Sequence, residues 1–466
     1  MATGGILLRN VEIAGRPGLD VRLQEGRIAE VGERLSGPGA DFDGRGGALL
    51  PGLMDHHIHL LATAAQAQSV RLEGLADADG VAGAIRAALA GRPVGAWLRA
   101  TGYHERIAGD LDRDVLDRIA PDHCLRIQHQ TGSLWILNSR ALVALTAKGA
   151  PAEAERDAEG RLTGRIWRGD AWLRAQLAAD PPDLAPLGRT LAAYGITGLT
   201  DASATTDASA AEVLAAARRR GALPQRLMLM SAGPLAAPAD AAFTVGPVKV
   251  LLDDARLIDL DDFVGRIEAA RPQGRAVAVH CVTAGELALT LAAFETAGAR
   301  SGDRIEHGGV IPAEAIATLR RLGLTVVTQS AFVFERGDRY LAEVAADEQP
   351  DLYRCASLLA AGVPVAGSSD APYAAPDPWA GMAAAVRRHT RGGRSIGAAE
   401  RIAPAAALDL YLGEAGAPGG PARRLAVGGR ADLCLLSGSL AEMLAEPDAA
   451  RVRATLIAGR VVFAAD

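Results

Sequence analysis

Between residues 51 and 369 the chain alternates short apolar runs with Ala/Leu-rich stretches of helical periodicity, and no other feature narrows its fold class as far. Neighbouring parallel strands need a long crossover, normally a helix, so this alternation reads as βα units laid into a parallel sheet. Eight runs fall near 52–57, 196–201, 226–231, 247–252, 276–280, 303–306, 325–328 and 363–369, with helical patterns such as Phe263–Arg271, Ala284–Ala297 and Pro312–Leu322 between them. Eight parallel strands with crossover helices make a (β/α)8 TIM barrel, here assigned to residues 51–415.

Two regions stand outside that count. Residues 1–50 and 416–466 share a texture of short strands and Gly-containing turns, seen in Ile6-Leu7-Leu8, Val11-Glu12-Ile13 and Arg27–Val31 at one end and in Ala431–Leu436, Ala454–Ile457 and Arg460–Phe463 at the other. They predict one small β-sandwich built from both termini. Residues 62–185 lie between the first two barrel strands and carry extra strand-like runs at Trp97–Tyr103 and Leu125–His129; they read as an insertion covering the barrel mouth.

Composition removes several function classes. The formal charge is −6 and no Lys/Arg-rich run is interleaved with aromatics, so a nucleic-acid surface is not expected and a small-molecule ligand is. No window reaches the roughly 18 apolar residues of a membrane span, and Met1–Arg16 lacks the features of a signal peptide, which predicts a cytoplasmic protein without membrane contact. Cys124, Cys281, Cys355 and Cys434 are scattered without a CxxC, and are read as buried thiols.

The chemistry is concentrated at predicted strand ends. Pro51-Gly52-Leu53-Met54-Asp55-His56-His57-Ile58-His59 is an apolar strand ending in histidines. Side chains alternate across a strand, so His57 and His59 share a face and can chelate one ion while His56 points the other way. An isolated HxH is more often a surface accident, but catalytic groups of this fold sit at the C-terminal ends of its strands. Strand five ends in His280, strand six in His307 within Arg304-Ile305-Glu306-His307-Gly308-Gly309, and strand eight in Asp370 within Gly367-Ser368-Ser369-Asp370. Each alone would read as a core histidine or a capping aspartate; together they converge above the barrel.

Strand four holds Lys249, one of only two lysines among 49 basic residues, inside Val248–Leu252. A buried ammonium is costly, whereas a neutral amine can add carbon dioxide to give a carbamate whose oxygens bridge two divalent ions. Pairing with Asp253 or Asp254 is the alternative. Zinc suits His/carboxylate ligands best, although manganese, iron, cobalt and nickel share them.

These residues in this order resemble the amidohydrolase superfamily, most closely its family 3 branch, across nearly the whole chain. The resemblance rests on PGLMDHHIH, Lys249, His280, RIEHGG, and GSSDAP followed by Asp377-Pro378-Trp379 and Ala383–Arg388, together with Leu425–Leu433 at the return to the sandwich. It implies His57 and His59 on a more buried metal, His280 and His307 on a more exposed one, and Lys249 as the bridging carbamate. Asp370 would bind metal and act as general base to a bridging hydroxide, then return the proton to the leaving nitrogen. The implied activity is hydrolysis of amide, N-acyl, N-formyl, urea or cyclic amide C–N bonds in small molecules.

The sequence departs from that branch where Gly132-Ser133, instead of a Gly-His pair, precedes Asn138-Ser139, which bears on substrate contact. Tyr103, His104, His129 and Gln329 are the candidate substrate contacts. A mononuclear deaminase of the superfamily would carry Glu three residues after His280; Thr283 stands there, with Glu286 a turn further on. Alternative readings are such a deaminase, a lactone or ester hydrolase, and a silent binding scaffold. Cys281 is read as core, His123 and His389 as surface residues, and a homodimer as the default assembly.

Overall fold

Each of the eight apolar runs forms a strand, and in a computed structural model describing residues 5–37, 39–177, 181–252 and 258–465 they make one parallel sheet. In spatial and chain order the strands are Leu53–Ile58, Ile196–Asp201, Arg226–Ser231, Thr244–Val250, Val277–Cys281, Arg304–His307, Thr325–Thr328 and Val365–Gly367. They read as continuous apolar runs because a parallel sheet is buried on both faces. The first and last strands are joined at their C-terminal ends, where the Asp370 amide donates to the His57 carbonyl at 2.8 Å and the His59 amide to that of Ala371 at 2.8 Å. The result is a (β/α)8 barrel, closed where the histidines lie.

Two strands differ from their sequence boundaries for readable reasons. Strand four begins three residues earlier, at Thr244, and stops at Val250, leaving Leu251 53% exposed, so apolarity alone carried the expected run past the sheet. Strand eight is only Val365–Gly367; Ser368 and Ser369 leave the sheet, and Asp370 turns into the left-handed region at φ 54°. Helices Leu260–Ala270, Ala284–Ala297, Ala315–Leu322 and Pro378–Arg387 fill the crossovers. The last is capped by Asp377, whose carboxylate accepts from the amides of Trp379 and Ala380. At its C-terminus Arg388 is fully buried and donates to the carbonyls of Leu352, Tyr353 and Ile396 at 2.7, 2.8 and 3.1 Å. Arg388→Ala strands those acceptors, so a loss of about 3 kcal/mol or more is expected, read as a lower denaturation midpoint with an unchanged slope.

The terminal segments form two four-stranded sheets. One comprises Ile6–Ile13, Arg16–Gln24, Arg27–Gly32 and Ala40–Asp43; the other comprises Leu49–Pro51, Leu433–Leu436, Val452–Ile457 and Arg460–Ala464. One apolar core joins them, with Leu8, Val21, Leu23 and Ile28 from the first and Leu49, Leu433, Leu435 and Leu456 from the second. Met1–Leu60 and Leu184–Asp466 together form one compact unit.

Leu61–Asp183 form a second unit with its own six-stranded sheet. The expected runs at Trp97–Tyr103 and Leu125–His129 are two of its strands, the latter starting at Cys124. Two further strands lack a sequence signal: Leu134–Leu137 is buried throughout and so without alternation, and Leu162–Trp167 is interrupted by Gly164 at φ 91°. The Asn138 side chain accepts from the amides of Leu125 and Ala141 and donates to the carbonyls of Ala120 and His123, tying strand, turn and helix together. Among the described residues no helix is long and apolar enough to cross a membrane.

Candidate metal centre

His57 and His59 leave the first strand on one face, as the alternation requires, and each has one ring nitrogen committed to a partner. His57 Nδ1 meets the Glu306 carboxylate, which Arg304 also holds; Arg304 in turn reaches the carbonyl of His56 at 3.2 Å. A carboxylate against Nδ1 favours the tautomer protonated there, which leaves the Nε2 lone pair for a ligand. His59 Nδ1 meets Ser203 Oγ at 3.0 Å. Both Nε2 atoms face one atom: Asp370 Oδ1 lies 3.4 Å from His57 Nε2 and 3.1 Å from His59 Nε2.

His307 and His280 complete a cluster of rings, with centroids 4.8 Å apart for His57 and His307 and 4.5 Å for His280 and His307. His307 stands in the left-handed region at φ 71°, as Asp370 does at φ 54°; both are strand-end residues whose backbones depart from the sheet at this site. Gln329 accepts from His307 Nδ1 at 2.9 Å and donates to Ser368 Oγ at 2.9 Å. Burial holds the His57 and His307 imidazoles well below the usual histidine range and lowers His280 to about 4, so all three are neutral and able to donate a lone pair.

Lys249 is 2% exposed, and its Nζ has no hydrogen-bond partner among the described residues. Burial lowers its pKa, opposed by Glu306 and Asp370. Asp253 and Asp254, its alternative partners, lie outside the described residues.

The donor set fits a divalent cation on three counts. His57 Nε2, Asp370 Oδ1 and Lys249 Nζ are buried polar atoms without a hydrogen bond, an arrangement that is costly unless something else satisfies them. One atom from each of His57, His59 and Asp370 lies within 4.8 Å of the others. With the Nδ1 atoms held by Glu306 and Ser203, the Nε2 atoms of His57 and His59 both lie on the Asp370 side, as metal-ligating histidines require.

Several supporting residues were not identified in the sequence. Asp55 Oδ1 accepts from the amides of His57 and Ser369 and Oδ2 from Ser369 Oγ at 2.5 Å, which fixes the turn that delivers Asp370; burial pushes its carboxyl up to about 6. Asp201 ends strand two and accepts from the amides of Leu60 and Ser203. Asp55 has the same strand parity as His57, and Asp201 stands at an equivalent strand end, so both signals were present. Glu306 lies inside Arg304-Ile305-Glu306-His307-Gly308-Gly309, while Ser203 carries no local signal.

The expected substrate contacts are placed as follows. Gln329 is fully buried and spends both ends of its amide on His307 and Ser368. The other three belong to the second unit: Tyr103 is 1% exposed with its hydroxyl donating to the Gly109 carbonyl, His104 caps the helix Glu105–Ala108, and His129 Nε2 pairs with Glu105 at 2.9 Å. The Glu286 carboxylate accepts from the amides of Val282 and Thr283 in a capping box, so it is engaged in the local helix start. Cys281 is buried beside Thr290 with its thiol pushed up to about 12, an unreactive core residue.

Comparison with known proteins bears on the family and the fold. The chain is 26% identical to the Bacillus subtilis (strain 168) protein YtcJ over 90% of this chain and 89% of that one. It is 24% identical to the N-substituted formamide deformylase of Arthrobacter pascens over 92% of each. An uncharacterised metal-dependent hydrolase from Pyrococcus horikoshii OT3 has the same fold, with a TM-score of 0.77 at 18% identity over 98% of this chain and all of that one. The model of the amidohydrolase family matches residues 42–463, and the chain therefore belongs to the amidohydrolase family.

Proposed function

We propose that this amidohydrolase hydrolyses a C–N bond of amide, N-acyl or N-formyl type in a small molecule, with His57, His59, His280, His307, Asp370 and a carbamate on Lys249 holding two divalent ions, zinc by ligand type. The observation that carries the reading is the convergence of His57 Nε2 and His59 Nε2 on Asp370 Oδ1. Such ions, when bound, supply a water activated at neutral pH and a polarised carbonyl oxygen. Asp370 accepts the proton of the attacking water and returns it to the leaving nitrogen, which leaves as a neutral amine. Glu306 and Ser203 hold the two strand-one imidazoles in register, and Gln329 orients His307. The kinship with a protein named N-substituted formamide deformylase supports formamides as the first substrates to try.

The test is metal content together with turnover of N-substituted formamides and N-acyl amines by the zinc-loaded protein. About two ions per chain, with activity lost on chelation and restored by zinc, is the expected result; full activity in the metal-free protein would overturn the reading. A mononuclear hydrolase is the second reading, because among the described residues only His57, His59 and Asp370 of this centre already meet within 4.8 Å. One ion per chain with full activity would favour it.

Glu306→Gln keeps the shape of the residue but weakens its pull on the His57 Nδ1 proton. Zinc affinity is expected to fall about 10–100-fold in competition with a chromogenic chelator.

A further inference from the structure

Beside the centre stands a cation with no anion among the described residues. Arg336, half-buried in the helix Ala331–Glu343, has its guanidinium 4.2 Å from the Phe332 ring centroid and 5.9 Å from that of Tyr373, and donates to the Tyr373 carbonyl at 2.6 Å. Among the described residues no carboxylate pairs with it. Its acidic helix neighbours are engaged elsewhere: Glu335 accepts from the Ala375 amide, and Asp338 takes Thr390, Gly392 and Arg394. Tyr373 ties this cation to the chemistry. Its amide donates to the Asp370 carbonyl at 2.8 Å, its ring meets the His59 ring edge-on at 5.9 Å, and it is 58% exposed.

A guanidinium stacked on aromatic faces is held in place without being neutralised, and its unused N–H groups match a carboxylate's two oxygens. We propose that Arg336, walled by Tyr373, is an anion subsite that selects substrates bearing a carboxylate near the scissile C–N bond, so that the class hydrolysed is N-acyl or N-formyl amino acids and related acids. This rests on the metal-hydrolase reading above for the place of catalysis, but the subsite itself needs only binding.

The experiment compares N-formylphenylalanine with N-formylphenethylamine, which differ only in the carboxylate, on the zinc-loaded protein. Wild type should favour the acid, and Arg336→Met, which keeps the stem packed on Phe332, should lower kcat/KM for the acid by about 10–100-fold through KM while changing the neutral compound by less than about threefold. Arg336→Lys should restore part of the preference. An acid/neutral ratio unchanged in Arg336→Met overturns the subsite, even if the variant melts at a lower temperature, since a residue that only tethers the Tyr373 turn would affect both compounds alike. If neither compound is hydrolysed, calorimetric binding decides. Carboxylate-dependent binding lost in Arg336→Met sustains the subsite and counts against the hydrolase reading for formamides; its absence in wild type overturns the subsite.

Discussion

Asp370→Asn is expected to lower kcat by about 10³–10⁵-fold while leaving the fold in place. Asparagine has almost the same shape and, like aspartate, tolerates the left-handed backbone, so the φ of 54° and the amide bond to the His57 carbonyl survive the exchange. What disappears is the charge and the proton acceptor at Oδ1, the atom on which His57 and His59 converge. A melting midpoint within a few degrees of wild type, beside the loss of turnover, separates a chemical defect from a folding one. Alanine is the poorer probe, because at that backbone angle it adds strain and mixes the two effects. If Asp370→Asn retains a tenth or more of wild-type turnover with zinc bound, the proton is carried by another group and the assignment of Asp370 fails.

The barrel was legible because its signal is repetitive: eight apolar runs with helical spacers agree with one another, and errors are confined to ends such as Leu251 and Ser368. The ligand candidates were legible for the same reason, since each lies at or near the C-terminal end of a strand whose position the repeat fixes. Partners reached across the sheet were harder to see. Glu306 contacts His57 from 249 residues away and Ser203 contacts His59 from 144, and nothing in either local sequence announces the pairing. Arg336 is harder still, being one of many arginines; only the structure shows that its neighbours Glu335 and Asp338 are turned to other partners. Gln329 illustrates the limit from the other side: a polar residue at a strand end reads as a pocket residue, and only the structure shows that its amide also joins His307 to Ser368. In the second unit the sheet was under-read because buried strands lack alternation, and Leu134–Leu137 is such a strand.

Lys249→Met is expected to separate stability from function in opposite directions. The side chain is buried, its Nζ has no hydrogen-bond partner among the described residues, and burial lowers its pKa, so the metal-free protein bears a desolvation penalty that methionine of similar length removes. The metal-free variant should be as stable as wild type or more stable by on the order of 1 kcal/mol in denaturant titration. If the neutral amine adds carbon dioxide, forming an N–C bond and releasing a proton to give the carbamate, methionine cannot replace it. The variant should then bind about one zinc fewer per chain and lose about 10³-fold or more in kcat. Native mass spectrometry should find the mass of one carbon dioxide on wild type and not on the variant. Replacement by the smaller Lys249→Ala leaves a cavity in which added formate or acetate can offer two oxygens, and partial recovery of activity with such an acid would identify the missing group as a carboxylate. Unchanged zinc content and unchanged turnover in Lys249→Met would leave the lysine as a core residue whose buried amine has no part in the chemistry.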